Sequence, residues 1–210
     1  MKRIVLFFTL GLLSVSLFAQ QDPQAKAALE KAVAVIKSSP VKLSFSTVVE
    51  SPSSKKKQYL SGTLLLMGNK FKLLMNGAES YFDGKTQWVY VPENNEVTVS
   101  TISAKEQQHV NPLSVLSQYN GKDTKIVFDA ETSAGSQSID IYPTARNANE
   151  FRILIKLDKR TNSPQSIQLF SRDGTRTAVT VKSFQRVTSD AKTFTFDAKA
   201  HPKVTVNDLR

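Results

Sequence analysis

The chain of 210 residues contains no cysteine. A disulfide framework, thiolate chemistry and a lipid anchor on a cysteine after a leader are all excluded. It has two histidines, His109 and His201, and neither has a metal-ligand partner at useful spacing. A Gly-x-Ser-x-Gly step, a phosphate-cradling glycine loop and a zinc helix are also missing. Acidic residues are scattered, and Asp83 and Asp173 are accounted for as turn residues. We therefore expect no enzyme and no cofactor; a site assembled from distant segments is the weakest alternative. Lysine and arginine are spread through loops, so no nucleic-acid footprint is expected.

What is present begins with an address. Met1-Lys2-Arg3 is basic, and residues 4–18 form an apolar run broken only by Thr9, Gly11, Ser14 and Ser16. Ala19 fits a cleavage residue, although Leu17 stands where a small side chain is usual. The run is shorter than the about 20 residues of a comfortable membrane span. This pattern predicts a cleaved signal peptide over residues 1–19 and a single exported, soluble domain over residues 20–210; the alternative is an uncleaved anchor. Loss of Lys2 and Arg3 takes the formal charge from +10 to +8. That balance permits loose attraction to anionic membrane surfaces or acidic partners, and fits a well-solvated basic surface equally.

One helix should follow. Asp22 can cap it, Pro23 suits its first position, and Ala25, Ala28, Leu29, Ala32, Val33 and Ile36 recur at helical spacing before Pro40. From Val41 the period changes to two, with Val41, Leu43, Phe45, Thr47 and Val49 on one face. Short strands separated by turn signals then continue, over residues 59–67, 70–75, 96–101, 124–130, 137–142, 151–158, 165–171, 176–184, 193–196 and 204–206. Asp83-Gly84 predicts a type I′ hairpin turn within residues 81–92, and Asp173-Gly174 a second turn of the same chemistry. The Lys55-Lys56-Lys57 run reads as a solvated hairpin tip. Between residues 103 and 119 the strands are interrupted. Ser103 and Glu106 fit a capping box, and Asn111-Pro112 restarts a helical insert.

Several strands are apolar on both faces. In residues 86–91, Trp88 and Tyr90 share one face while Val89 and Val91 line the other, so something must cover each side. Such a sheet can curl around a hollow or fill an ordinary packed sandwich, and the two alternatives are evenly matched.

The stretch Gly62-Thr63-Leu64 through Phe71, then Asp83-Gly84-Lys85-Thr86-Gln87-Trp88-Val89-Tyr90, resembles the LolA-type periplasmic carriers of outer-membrane lipoproteins. The Asn111-Pro112-Leu113 segment sits where that family has its lid helices, and residues 194–208 are similar to its closing pattern. The resemblance implies a mainly β fold: an unclosed antiparallel barrel of about eleven strands, covered by an N-terminal helix and a mid-chain helical lid. It implies a periplasmic monomer that shields the acyl chains of lipoproteins between an inner-membrane releasing transporter and an outer-membrane acceptor that the sequence leaves unnamed. A signalling or lipid-binding module on the same scaffold is the alternative. By the same resemblance, Phe45, Leu64, Leu66, Phe71, Leu73, Met75, Trp88 and Tyr90 should line the lipid cavity, with Leu113 and Leu116 as lid contacts. Members carry an Arg-Pro step before the Phe strand; here Met67-Gly68-Asn69-Lys70 stands instead.

Overall fold

A computed structural model describes residues 22–54, 56–103, 106, 111, 113–119, 123–130 and 133–210. The expected signal peptide, Lys55, His109 and Pro112 lie outside the described residues.

Helix α1 spans Pro23–Lys37, and the Asp22 carboxylate accepts hydrogen bonds from the Gln24 and Ala25 amides, satisfying two of its orphan donors. Its apolar stripe, Ala25, Ala28, Leu29, Ala32 and Val33, is buried. Strands β1 (Val41–Glu50), β2 (Gln58–Met67), β3 (Lys70–Met75), β4 (Ala78–Phe82), β5 (Thr86–Val91) and β6 (Glu96–Thr101) form an antiparallel meander. The insert follows, with the single-turn helix α2 (Val115–Gln118). Then come β7 (Thr124–Phe128), β8 (Ser136–Pro143), β9 (Glu150–Asp158), β10 (Pro164–Ser171) and β11 (Arg176–Arg186). Strand β11 pairs with β1, which joins the two meanders. The C-terminal β12 (Thr205–Asp208) adds to β6 in parallel.

Among the described residues the result is one sheet of twelve strands, in the order β12-β6-β5-β4-β3-β2-β1-β11-β10-β9-β8-β7. Its ends, β12 and β7, do not pair with each other, so the barrel is unclosed as the family pattern implies. The twelfth strand is the short β12. Residues 193–196, expected as a strand, do not form one: Thr193 and Phe194 close a 3-10 turn over Ala191–Phe194, where Asp190 accepts from the Thr193 amide. The side-chain bond offers that backbone a local turn in place of a ladder.

Both Asp-Gly turns differ from type I′. Gly84 has φ 105° and Gly174 φ 85°, while neither aspartate has a positive φ. Asp83 instead accepts from the Lys85 and Thr86 amides, and Asp173 from the Thr175 amide. The aspartates work as side-chain caps and only the glycines use the left-handed region.

Candidate functional site

The registers fix which face of each strand looks inward. Val41, Leu43, Phe45 and Thr47 on β1 stand opposite Leu66, Leu64, Gly62 and Leu60 on β2. Leu66, Leu64 and Gly62 stand opposite Phe71, Leu73 and Met75 on β3, and these opposite Phe82, Ser80 and Ala78 on β4. On the other half, Ile167, Ile155 and Ile139 line up across β10, β9 and β8. The buried apolar side chains among these form the main core together with the stripe of α1.

This inner face has two zones along the barrel axis. At the end of the β2–β3 and β4–β5 turns it is filled: Leu64, Leu66, Phe71, Phe82, Leu43 and Leu29 are almost wholly inaccessible. The Phe71 and Phe82 rings stack with centroids 5.4 Å apart. At the opposite end, beyond the α1 stripe, a cavity of about 720 Å³ opens to solvent. Phe45, Leu73, Met75, Leu169 and Val179 give it an apolar wall, and Gln118, Asn147, Asn149 and Glu150 line its polar side. Gly62 makes this wall possible. A Cβ there would lie 2.9 Å from Phe45 Cζ and 2.7 Å from the Leu74 carbonyl oxygen, so only glycine lets the ring rest across β2.

The insert closes part of the mouth. The Ser103 amide and hydroxyl donate to the Glu106 carboxylate while the Glu106 amide donates to Ser103 Oγ, the reciprocal geometry of a capping box. Asn111 Oδ1 accepts from the Leu113 amide at 2.9 Å. Leu113 and Leu116 are buried beside Val33, Ile36 and Leu66, where they border a smaller recess. Val115 and Tyr119 face the main cavity. Tyr119 Oη donates to Glu150 Oε2 at 2.5 Å, tying the insert to the start of β9. Burial, then the Glu150 bond and charge, push the Tyr119 hydroxyl pKa well above the ordinary tyrosine value. Nothing in the sequence singled out Tyr119 or Glu150, because they are 31 residues apart.

The ten sequence-predicted site residues thus separate. Phe45, Leu73 and Met75 line the cavity. Leu64, Leu66 and Phe71 share their face but lie in the filled zone. Leu113 and Leu116 belong to the insert and pack on α1 and β2. Trp88 and Tyr90 require correction: their register partners are Tyr81, Val99, Glu79 and Val97, on the face opposite Phe71 and Phe82. That outer face is covered by the C-terminal segment. The Phe196 ring lies 5.9 Å from Tyr81 and 5.1 Å from Tyr90, and His201 lies 4.4 Å from Tyr90. Tyr90 Oη donates to Asn95 Oδ1, whose Nδ2 donates to the Pro202 carbonyl. Lys72 and Tyr81 both reach Glu79 nearby. Burial works against the Glu79 charge, yet those two hydrogen bonds outweigh it and hold its pKa below the ordinary range. Trp88 on the outer face makes a direct prediction: its fluorescence maximum should not move when an acyl ligand fills the cavity. A blue shift on binding would return Trp88 to the cavity wall.

No helix among the described residues is long and apolar enough to cross a membrane, and no group of three His, Asp or Glu among them is placed to hold a metal. Residues 37–197 match the family described as outer membrane lipoprotein carrier protein LolA. No curated protein sequence matches the chain. Among solved structures, an uncharacterized conserved protein from Thermus thermophilus is similar at 10% identity and TM-score 0.58, covering 88% of this chain and 99% of that one. A LolA superfamily protein from Nitrosomonas europaea is similar at 13% identity and TM-score 0.45, covering 83% and 98%. The MucA/MucB complex of Pseudomonas aeruginosa contains a chain similar at 12% identity and TM-score 0.39, covering 84% of this chain and 62% of that one.

Proposed function

Since the chain belongs to the LolA family of outer membrane lipoprotein carrier proteins, we propose that it shields the acyl chains of lipoproteins and carries them across the periplasm from the inner to the outer membrane. The observation that carries this reading is the open cavity at one end of a barrel whose other end is packed. Each buried methylene is worth about 0.8 kcal/mol, so a long acyl chain cannot cross water at useful rates without a cover. A carrier must also let go, which suits an apolar wall faced by a polar side. The cavity of about 720 Å³ is open to solvent, and a wall that adjusts suits acyl chains of different length. Met75 on the wall supports such adjustment, because its unbranched thioether repacks readily.

In this reading the donor is an inner-membrane lipoprotein-releasing transporter, and the carrier acts as a soluble monomer after loss of residues 1–19. Incubation of the purified protein with spheroplasts should give a soluble complex containing acylated lipoprotein, whereas a lipoprotein stripped of its acyl chains should not bind. Failure to extract any acylated lipoprotein would remove the carrier reading.

A further inference from the structure

The cavity opens at the end of the barrel that also gathers the β1–β2, β8–β9 and β10–β11 connections, and these connections are fastened to one another. A Cβ on Gly174 would stand 2.7 Å from Pro52 Cγ, so the β10–β11 tip rests on the β1–β2 tip. The Arg172 amide donates to the Asn149 carbonyl at 2.9 Å and its Nε to the Ala148 carbonyl at 3.0 Å, which binds the same tip to the β8–β9 loop. Ala148, Asn149, Glu150, Ser171 and Thr177 from these segments line the cavity itself. The three connections therefore form one side of the mouth as a single ledge.

The ledge is basic and carries exposed aromatic rings. Lys56, Lys57, Arg146, Arg172 and Arg176 are all exposed. The carboxylates in the same segments are engaged locally: Glu50 with Lys57 at 2.7 Å, Glu150 with Tyr119, and Asp173 within its own turn. Arg152 is taken up by Asp140 and Asp129. Tyr59 is 73% exposed and Phe151 46% exposed. Phe170 backs Phe151 at 6.3 Å between centroids, and the Arg176 guanidinium lies 5.9 Å from the Phe170 ring.

We infer that this ledge docks the protein on an anionic bilayer surface and so brings the cavity mouth to the headgroup boundary. Phe151 and Tyr59 enter the interface while the surrounding lysines and arginines meet lipid phosphates, the combination by which interfacial proteins hold a charged membrane. Charge complementarity selects the occupant. The cations sit on separate loops around an opening and are not set in a shaped recess, which matches a planar, diffuse negative charge better than the surface of a folded partner.

Flotation with phosphatidylcholine vesicles containing about one third phosphatidylglycerol tests this, with pure phosphatidylcholine vesicles as the comparison. The protein should float with the anionic vesicles at low salt and be released at about 1 M salt, where the screening length is about 3 Å. Each cation near the surface contributes about fivefold in partition, so the double change Lys56→Glu with Arg146→Glu, both exposed, should lower it at least about 25-fold. Phe151→Ser should lower it about tenfold. Lys85→Glu, in the β4–β5 turn at the filled end, should leave it unchanged and controls for net charge. The vesicles carry no lipoprotein, so flotation reads docking separately from acyl uptake. Equal binding to neutral vesicles, no binding to anionic ones, or undiminished flotation of the double variant would overturn the proposal. Retention only on native membranes, lost after protease treatment, would assign the ledge to a membrane protein and overturn it equally.

Discussion

Phe71→Glu is expected to leave the protein unfolded, with no cooperative thermal transition and no native near-ultraviolet signal. Phe71 is 1% exposed, stacked on Phe82 and enclosed by Leu66 from β2. Truncation of a buried phenylalanine alone costs about 3–5 kcal/mol. An unpaired carboxylate at the same place adds several kcal/mol more, by desolvation or by a forced protonation. The sum rivals the whole stability of a domain, about 5–15 kcal/mol. Phe71→Leu, which keeps an apolar side chain, should fold with a lowered Tm. A folded Phe71→Glu protein with an unchanged Tm would mean that the hollow extends to this depth.

The second large effect falls on binding. Met75 lies further along the same inward face of β3, but it is only half-buried and borders the cavity. Met75→Glu should fold normally, since its carboxylate can remain hydrated in an empty mouth. An entering acyl chain would have to strip that water, and a cost of about 3 kcal/mol for imperfect desolvation corresponds to a loss of affinity of about 100-fold. Leu74→Glu supplies the contrast. Leu74 is 41% exposed on the outer face, so the same charge on the neighbouring residue should leave uptake unchanged. Titration of a fluorescent acyl peptide into both variants measures the difference. Loss of uptake in Leu74→Glu with full uptake in Met75→Glu would reverse the assignment of the two sheet faces.

The residues Phe71, Leu73 and Met75 show how far a period of two can be read. Alternation puts them on one face and the Gly62 to Leu66 strand beside them, and the register agrees. Helix α1 was equally legible, because its cap, first-turn proline and apolar stripe are local. So was the capping box of Ser103 and Glu106. Depth along the barrel was not legible. Phe71 and Met75 look alike in sequence, yet the stripe of α1 fills one end of the sheet and leaves the other open.

Strand β5 marks the other limit. Its double apolar character asked for a cover on each side, but pattern alone cannot say which face is inside when both are apolar. Trp88 and Tyr90 proved to be the outer pair, because residues 191–202 cross that face and Phe196 and His201 pack on Tyr90. The anchoring bond from Asn95 to Pro202 spans 107 positions.

By itself, then, the sequence determined most of the secondary elements and which residues share a face, which depend on neighbours within a few residues, and it carried the family pattern along the chain. The tertiary structure alone decided which face of β5 looks inward, which end of the barrel is hollow, and that Tyr119 meets Glu150 at its mouth. Those outcomes rest on contacts between segments far apart in the chain, whose meeting is set by the curling of the whole sheet and not by any local periodicity.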